Sequence, residues 1–277
     1  MLIISVDGLG PDVLRHSHAP NLRELMDRSA FTLSARTTDT VKTLPSHVSM
    51  LTGVTPKKHG VTWNDVFRGY PRFPTLMEAV KRSRPGLTTA LVVGKAKLQT
   101  LARPGSLDWV FVPDREDLTD AQVASRAVEM IKQHQPDVLM VHLPNVDQVG
   151  HGRGWDSLEQ RAAVARADRA VGEILGALRR GGQLSRTLVI VTADHGGVGM
   201  THEPGDGRSL HIPWIASGPG IRRGDDLATR GVEVHTEDTF ATAAWWLGLP
   251  LDPALDGHPV TAIERSGATS AVPAPAR

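Results

Sequence analysis

The sequence predicts an α/β sandwich, one mostly parallel β-sheet with helices packed on both faces. Three observations carry that expectation. Short, nearly continuous apolar runs rich in β-branched residues recur along the chain, as strands buried on both faces require. Longer amphipathic stretches separate them. Polar residues follow directly after several of the runs, and in open α/β sheets chemistry gathers outside the carboxyl ends of the strands.

The strand runs are Leu2–Val6, 88–93, Val138–Leu143, 187–192 and 212–216. A helix is expected over about 121–134, where Ala124, Ala127, Val128 and Ile131 share a face, Asp120 is a candidate cap and Pro136 follows the end. The clearest helix covers about 157–180, with Val164, Val171, Ile174, Leu175 and Leu178 on one stripe and Gly181-Gly182 as its stop. A third, over about 238–247, is apolar enough to lie on the sheet and is closed by Gly248 and Pro250. Pro45 suits the first turn of a further helix that ends at Gly53.

No repeat, charge block or Ser/Gly linker divides the 277 residues, so residues 1–265 are expected to form a single domain. Residues 266–277, rich in Ala, Pro, Ser and Gly, are expected to be disordered. Lys and Arg number 31 against 30 Asp and Glu, which removes the electrostatic case for a nucleic-acid-binding surface. The chain has no Cys, which excludes disulfides, thiolate-held zinc, iron–sulfur clusters and a thiol nucleophile. Any metal must then be held by oxygen or by some of the 12 His. No uncharged apolar run reaches the ~20 residues of a spanning helix, and MLIISVDG lacks the parts of a signal peptide. A cytoplasmic protein with no membrane partner is the expectation, and the oligomeric state is left open.

Asp7 follows the first strand, Asn145 and Asp147 the third, and Asp194 and His195 the fourth. Three strands thus deliver carboxylates to one edge, which is costly unless cations sit among them. Thr192-Ala193-Asp194-His195-Gly196-Gly197 with His202 seven residues beyond His195 reads either as metal ligands on a Gly-rich turn or as a polar surface loop. Asp147 and His151, four apart, can share one ion on a helical turn; the alternative is a capping Asp beside a solvated His. Thr43, just before the helix begun by Pro45, stands where free N–H groups favour an anion, so its hydroxyl reads as a nucleophile or as an ordinary N-cap. Taken together, three Asp and a Thr43 alkoxide supply four negative charges, the complement of two divalent cations in a hydrolytic site.

SVDG, KTLPSH followed by LTG and HG, VDQVGH, and ADHG with a downstream His occur in that order from Asp7 to about Gly257. This series resembles the alkaline phosphatase superfamily, and within it the type I phosphodiesterase/nucleotide pyrophosphatase branch. The resemblance implies a three-layer α/β/α sandwich around a mixed, mainly parallel sheet, with no large cap domain. It implies two divalent ions, zinc first with Mn2+ or Mg2+ as alternatives, and a small-molecule phosphoester substrate. Asp7, Asp194, His195 and Thr43 resemble the ligands of one ion, with Thr43 also the nucleophile that becomes a phospho-threonine. Asp147, His151 and His202 resemble those of the other, and Asn64 the asparagine that holds a phosphoryl oxygen. The implied activity is phosphodiesterase or nucleotide pyrophosphatase. Phosphomonoesterase, phosphonate hydrolase and phosphoryl transferase are the alternatives within the fold, and a catalytically silent metal-binding domain is the alternative outside it. Sulfatases of this superfamily use Cys or Ser in a Cys/Ser-x-Pro-x-Arg context, whereas this chain has Thr43-Leu44-Pro45-Ser46-His47.

His211 competes with His202 as the third histidine, and His202 is preferred for its spacing from Gly218-Pro219-Gly220. His142, at a strand end, is a candidate support for a ligand; His47 and His59 are expected to shape the Thr43 loop by hydrogen bonds. His134 is expected at a helix end, and His16, His18 and His235 at the surface. Residues 61–73 hold four of the twelve aromatics and two Arg. There Trp63 and Tyr70 read either as a stacking wall for a flat leaving group or as a loop folded on its own rings. Trp155 is a second candidate wall.

Overall fold

The structure, a computed structural model, describes residues 1–114 and 117–265; the tail 266–277, expected to be disordered, lies outside the described residues. Eight strands form one sheet: β1 (Leu2–Val6), β2 (Ala30–Arg36), β3 (Thr89–Val93), β4 (Trp109–Phe111), β5 (Val138–Leu143), β6 (Val189–Thr192), β7 (His211–Ser217) and β8 (Asp225–Asp226). Their order is β4-β3-β5-β1-β6-β7-β2-β8. Strands β4 through β6 in that order run parallel, and β7 runs antiparallel to both β6 and β2. The sheet is therefore mixed and mainly parallel, as the resemblance implies.

The five sequence-predicted strands are present, with β3 and β6 starting one and two residues later than expected. Three strands carried no readable signal. Strand β2 alternates buried with half-exposed positions and includes Thr32 and Ser34, and β4 and β8 are short edge strands held by their neighbour's ladder. Strands β1, β3, β5 and β6 are buried along their whole length and form the floor of the core.

The helices are α1 (Pro11–His16), α2 (Pro20–Asp27), α3 (Thr43–Thr52), α4 (Pro56–His59), α5 (Leu76–Ser83), α6 (Asp120–His134), α7 (Asn145–Arg153), α8 (Leu158–Arg180), α9 (Gly207–Leu210) and α10 (Asp238–Trp246). They flank the sheet in two packed groups, one around α8 with α1, α2, α6 and α7, the other around α3 with α4 and α10. Ser157 caps α8 by accepting from Gln160 N–H.

Two expectations at helix starts are corrected. The cap of α6 is Thr119, in a capping box with Gln122, because the extended backbone at Thr119 lets its hydroxyl reach the Gln122 N–H; Asp120 is the first helical residue. Thr43 is likewise the first residue of α3, and Lys42 occupies the N-cap without a side-chain cap. Gly53, at φ 72°, ends α3 as expected. Because β1, β5 and β6 are parallel, their carboxyl ends deliver Asp7, α7 and Asp194 to one edge of the sheet.

Candidate metal centre

The strand exits meet through one glycine. Gly8 has φ 73°, donates its N–H to Asp194 Oδ1 at 3.0 Å, and accepts at its carbonyl from Trp155 Nε1 at 3.0 Å. A Cβ at Gly8 would lie 2.7 Å from Asp147 Cα, so the end of β1 and helix α7 approach this closely only without a side chain there. Residues Asn145–Arg153 form helix α7, with Asp147 buried in its first turn and His151 placed in its last.

The predicted ligands fall into two groups whose ligand atoms lie within 4.8 Å of one another: Asp7, Asp194 and His195, and Asp147, His195 and His202. His195 Nε2 stands between them, 3.3 Å from Asp194 Oδ2, 3.5 Å from Asp7 Oδ1 and 3.8 Å from Asp147 Oδ1. His151 joins the second group from its more exposed side, its Nε2 3.3 Å from Asp147 Oδ1 and 3.1 Å from His202 Nε2. His211 opens β7 and belongs to neither group.

Backbone carbonyls fix the tautomers of all three histidines. Nδ1–H of His195 donates to Gly196 O at 2.9 Å, that of His202 to Val41 O at 2.6 Å, and that of His151 to Met200 O at 3.0 Å. A carbonyl can only accept, so in the neutral ring each Nδ1 carries the proton and each Nε2 the lone pair, turned toward the cluster. Asp7 Oδ1, Asp147 Oδ1, Asp194 Oδ2 and His195 Nε2 are buried with no hydrogen-bond partner. Orphaned acceptors of this kind cost about 1–3 kcal/mol each and are rarely left in one place. Their lone pairs converge, and the donor set of carboxylate oxygen and imidazole nitrogen fits divalent ions such as zinc.

Thr43 is buried and is linked to the cluster through His47. Its carbonyl accepts from His47 Nδ1 at 2.7 Å, and that nitrogen is 3.6 Å from Asp194 Oδ2. Two residues before Thr43, Val41 adopts φ 43°, unusual for a β-branched residue, and points its carbonyl at His202. Asn64 Oδ1 accepts from Leu44 N–H at 2.8 Å, which ties the Asn64 side chain to the first turn of α3. His47 and His59 shape this region by hydrogen bonds, His47 to Ser5 and Thr43, His59 to Ser49 and Val61. His142 Nε2–H donates to Asp7 Oδ2 at 2.8 Å, so it supports a predicted ligand from behind.

One residue of the cluster lies outside the sequence expectations. Lys95, buried just beyond β3, places Nζ 2.8 Å from Asp7 Oδ2 and 2.5 Å from Asp147 Oδ2. The sequence carries the signal, because Gly94-Lys95 follows a predicted strand as Asp7 follows β1. Burial alone would raise Asp7, yet Lys95 and His142 hold its carboxyl well below the usual range. Burial and the neighbouring Asp7 charge push Asp194 up to about 7, the signature of carboxylates crowded without enough positive charge. Burial, with His195 beside it, lowers His202 to about 4, keeping its imidazole neutral and its Nε2 lone pair available.

The aromatic stretch is folded largely on itself. The Tyr70 ring has Phe67 edge-on at 5.1 Å and the Arg103 guanidinium over its face at 4.9 Å. Trp63 packs against the hydrophobic core. Trp155 stands edge-on to His151 with ring centroids 5.1 Å apart.

The family described as type I phosphodiesterase / nucleotide pyrophosphatase matches residues 1–212. An uncharacterized pyrophosphatase/phosphodiesterase of Schizosaccharomyces pombe is 25% identical over 218 residues, 71% of this chain and 44% of that protein. Ectonucleotide pyrophosphatase/phosphodiesterase 2 of Saccharomyces cerevisiae is 26% identical over 231 residues, 70% of this chain and 47% of that protein. Arylsulfatase K of Danio rerio is 33% identical over a shorter stretch of 121 residues, 42% of this chain and 23% of that protein. The chain thus spans less than half the length of each of these relatives. Human ectonucleotide pyrophosphatase / phosphodiesterase 5 has the same fold, with TM-score 0.80, 14% identity and coverage of 96% of this chain and 100% of that one. A 2-O glycosaminoglycan sulfatase superposes with TM-score 0.75 at 15% identity, covering 97% of this chain and 75% of that one. Strand exits, converging imidazoles and the matched span lead to one assignment: the chain belongs to the type I phosphodiesterase / nucleotide pyrophosphatase family.

Proposed function

We propose that this chain hydrolyses phosphate esters, phosphodiesters or nucleotide pyrophosphates before other classes, through a covalent intermediate on Thr43. The observation that carries the reading is the convergence of four orphaned buried ligand atoms beside the helix that starts at Thr43. Asp7, Asp194 and His195 would hold one divalent ion with Thr43, and Asp147, His151 and His202 the other, zinc being the ion that the imidazole nitrogens in this set favour over magnesium. Two such ions supply Lewis acidity, lowering the pKa of a hydroxyl and stabilising charge on a departing oxygen.

The chain's own residues do the remainder. The Thr43 hydroxyl proton passes to solvent as Oγ1 attacks phosphorus, the Oγ1–P bond forming while the bond to the leaving oxygen breaks in line and that oxygen departs as the anion or takes a proton from solvent. The N-terminal turn of α3 presents its positive dipole end to the phosphoryl group. Asn64, with Oδ1 fixed by Leu44 N–H, turns its amide Nδ2–H2 to a phosphoryl oxygen. Water then attacks the phosphorus of the phospho-threonine, and as the Oγ1–P bond breaks the proton released by that water returns to Thr43 Oγ1.

The local likeness to arylsulfatase K favours sulfate esters as a second reading. Thr43-Leu44-Pro45-Ser46-His47 and the absence of Cys weigh against it. The test is turnover of bis(p-nitrophenyl) phosphate, p-nitrophenyl phosphate, a phosphonate ester and p-nitrophenyl sulfate by zinc- or manganese-supplemented wild type and Thr43→Ala. The diester is expected to be the preferred substrate, and Thr43→Ala to lose it while keeping its fold and most of its bound metal. Near wild-type turnover by Thr43→Ala would overturn the covalent step, and preferred sulfate turnover would overturn the substrate class.

A further inference from the structure

Lys95 answers a question that the carboxylate count raises. Asp7, Asp147 and Asp194 are buried together, and each of the first two has one oxygen without a partner. Their other oxygens, Asp7 Oδ2 and Asp147 Oδ2, both contact Lys95 Nζ, at 2.8 and 2.5 Å. A single ammonium therefore joins carboxylates that stand on different elements, one after β1 and one on α7, and in different ligand groups.

The backbone is built to place it there. A Cβ at Gly94 would lie 2.6 Å from the Pro144 ring, so the exit of β3 presses against the start of α7 as only glycine allows. Gly94 N–H also donates to His142 Nδ1 at 3.3 Å, and Leu118 N–H donates to the Gly94 carbonyl at 2.9 Å. Lys95 leaves this anchored turn buried, with about 4% of its surface accessible.

We infer that Lys95 is a stand-in cation for the metal centre, neutralising Asp7 and Asp147 before ions enter and weakening the affinity with which those ions are held. The inference rests on the two-metal reading. Its physical basis is linkage: a fixed positive charge that stabilises the carboxylates without ions also repels each incoming divalent charge, so it stabilises the unloaded state more than the loaded one. It also corrects the balance of four negative against four positive charges. With Lys95 counted, the loaded centre keeps one net positive charge, which suits an anionic ester. A lysine that served only to hold the fold would act in the opposite direction, since its loss would misalign the ligands and weaken metal binding.

The sign of the change in metal affinity therefore decides the matter. The full chain is stripped with chelator, and zinc is titrated calorimetrically into wild type, Lys95→Met and Lys95→Arg, with thermal unfolding followed in chelator and in excess zinc. Lys95→Met is expected to bind its first zinc about tenfold more tightly than wild type. It is also expected to unfold roughly 5–10 °C lower in chelator, with the gap closing by more than half in zinc. Lys95→Arg, which keeps the charge, should stay close to wild type in both. Should Lys95→Met not fold in chelator, Lys95→Gln carries the same comparison. Equal or weaker zinc binding by the neutral variant, or an unfolding gap unchanged by zinc, overturns the inference alone. Failure of wild type to bind zinc overturns the two-metal reading and the inference with it.

Discussion

Replacing Gly8 with alanine tests whether the two halves of the metal centre depend on one backbone approach. At φ 73° an L-residue pays about 1–2 kcal/mol for the left-handed conformation. The new Cβ would stand 2.7 Å from Asp147 Cα and 2.9 Å from Asp147 Cβ, against an unstrained carbon–carbon contact of about 3.5–4 Å. Both neighbours belong to α7, so relief requires that helix to move away from β1 by on the order of 1 Å, with an overpacking cost of about 1–3 kcal/mol. The sum, about 2–5 kcal/mol, corresponds to a fall in Tm of roughly 5–15 °C for a chain of this size. The same shift carries Asp147 and His151 away from Asp7 and Lys95, and a misplacement of that size costs on the order of 100-fold in rate. Thermal unfolding, zinc content per chain and phosphodiester turnover measure the three effects on one preparation. A Gly8→Ala protein that unfolds within ~2 °C of wild type, holds its full complement of ions and turns over normally would refute the close-approach argument.

Two further outcomes follow from the geometry. His202→Ala is expected to lose one ion, because its Nε2 belongs to a ligand group and its Nδ1–H anchors Val41, whereas His211→Ala keeps both; metal analysis of the two variants separates them, and the reverse pattern would move the site to His211. Burial raises Asp120 to about 6, so the folded chain binds more protons than the unfolded one between pH ~4 and ~6, and this residue's contribution to stability falls as pH rises through that window. Asp120→Asn keeps the acceptor for Asn145 N–H and removes the charge, so it should gain on the order of 1–3 kcal/mol over wild type at pH 8 and nothing near pH 4. Urea unfolding at the two pH values checks this, and a pH-independent difference would remove the explanation.

The carboxylates were legible because the sheet is parallel. Once Leu2–Val6, Val138–Leu143 and the run ending at Thr192 read as buried strands, their exits had to share an edge, and Asp7, Asp147 and Asp194 came together without knowledge of packing. The same rule applied to β3 leads to Lys95, whose ammonium is no metal ligand and so gives no metal-site signal in the sequence. Strand β2 was hidden because pairing with β7, rather than hydrophobic content, makes it a strand. The start of α3 was misplaced by its cap, since a Lys at the N-cap gives no local signal and Thr43 resembles one. Tyr70 shows the limit in another way: composition marks a cluster of rings, but only the folded chain sets the ring's neighbours, Phe67 and Arg103.

What the sequence determined by itself is therefore the alternation of strands and helices, the edge where chemistry collects, and the residue types gathered there. Only the tertiary structure decided how those side chains are aimed. His202 takes its tautomer from a carbonyl 161 positions away, and the carboxylates of Asp7 and Asp147 are held by one lysine that stands far from both in the chain. Hydrophobic periodicity is local and survives in one dimension, whereas the direction of a lone pair depends on partners that only folding brings within 3 Å or so of one another.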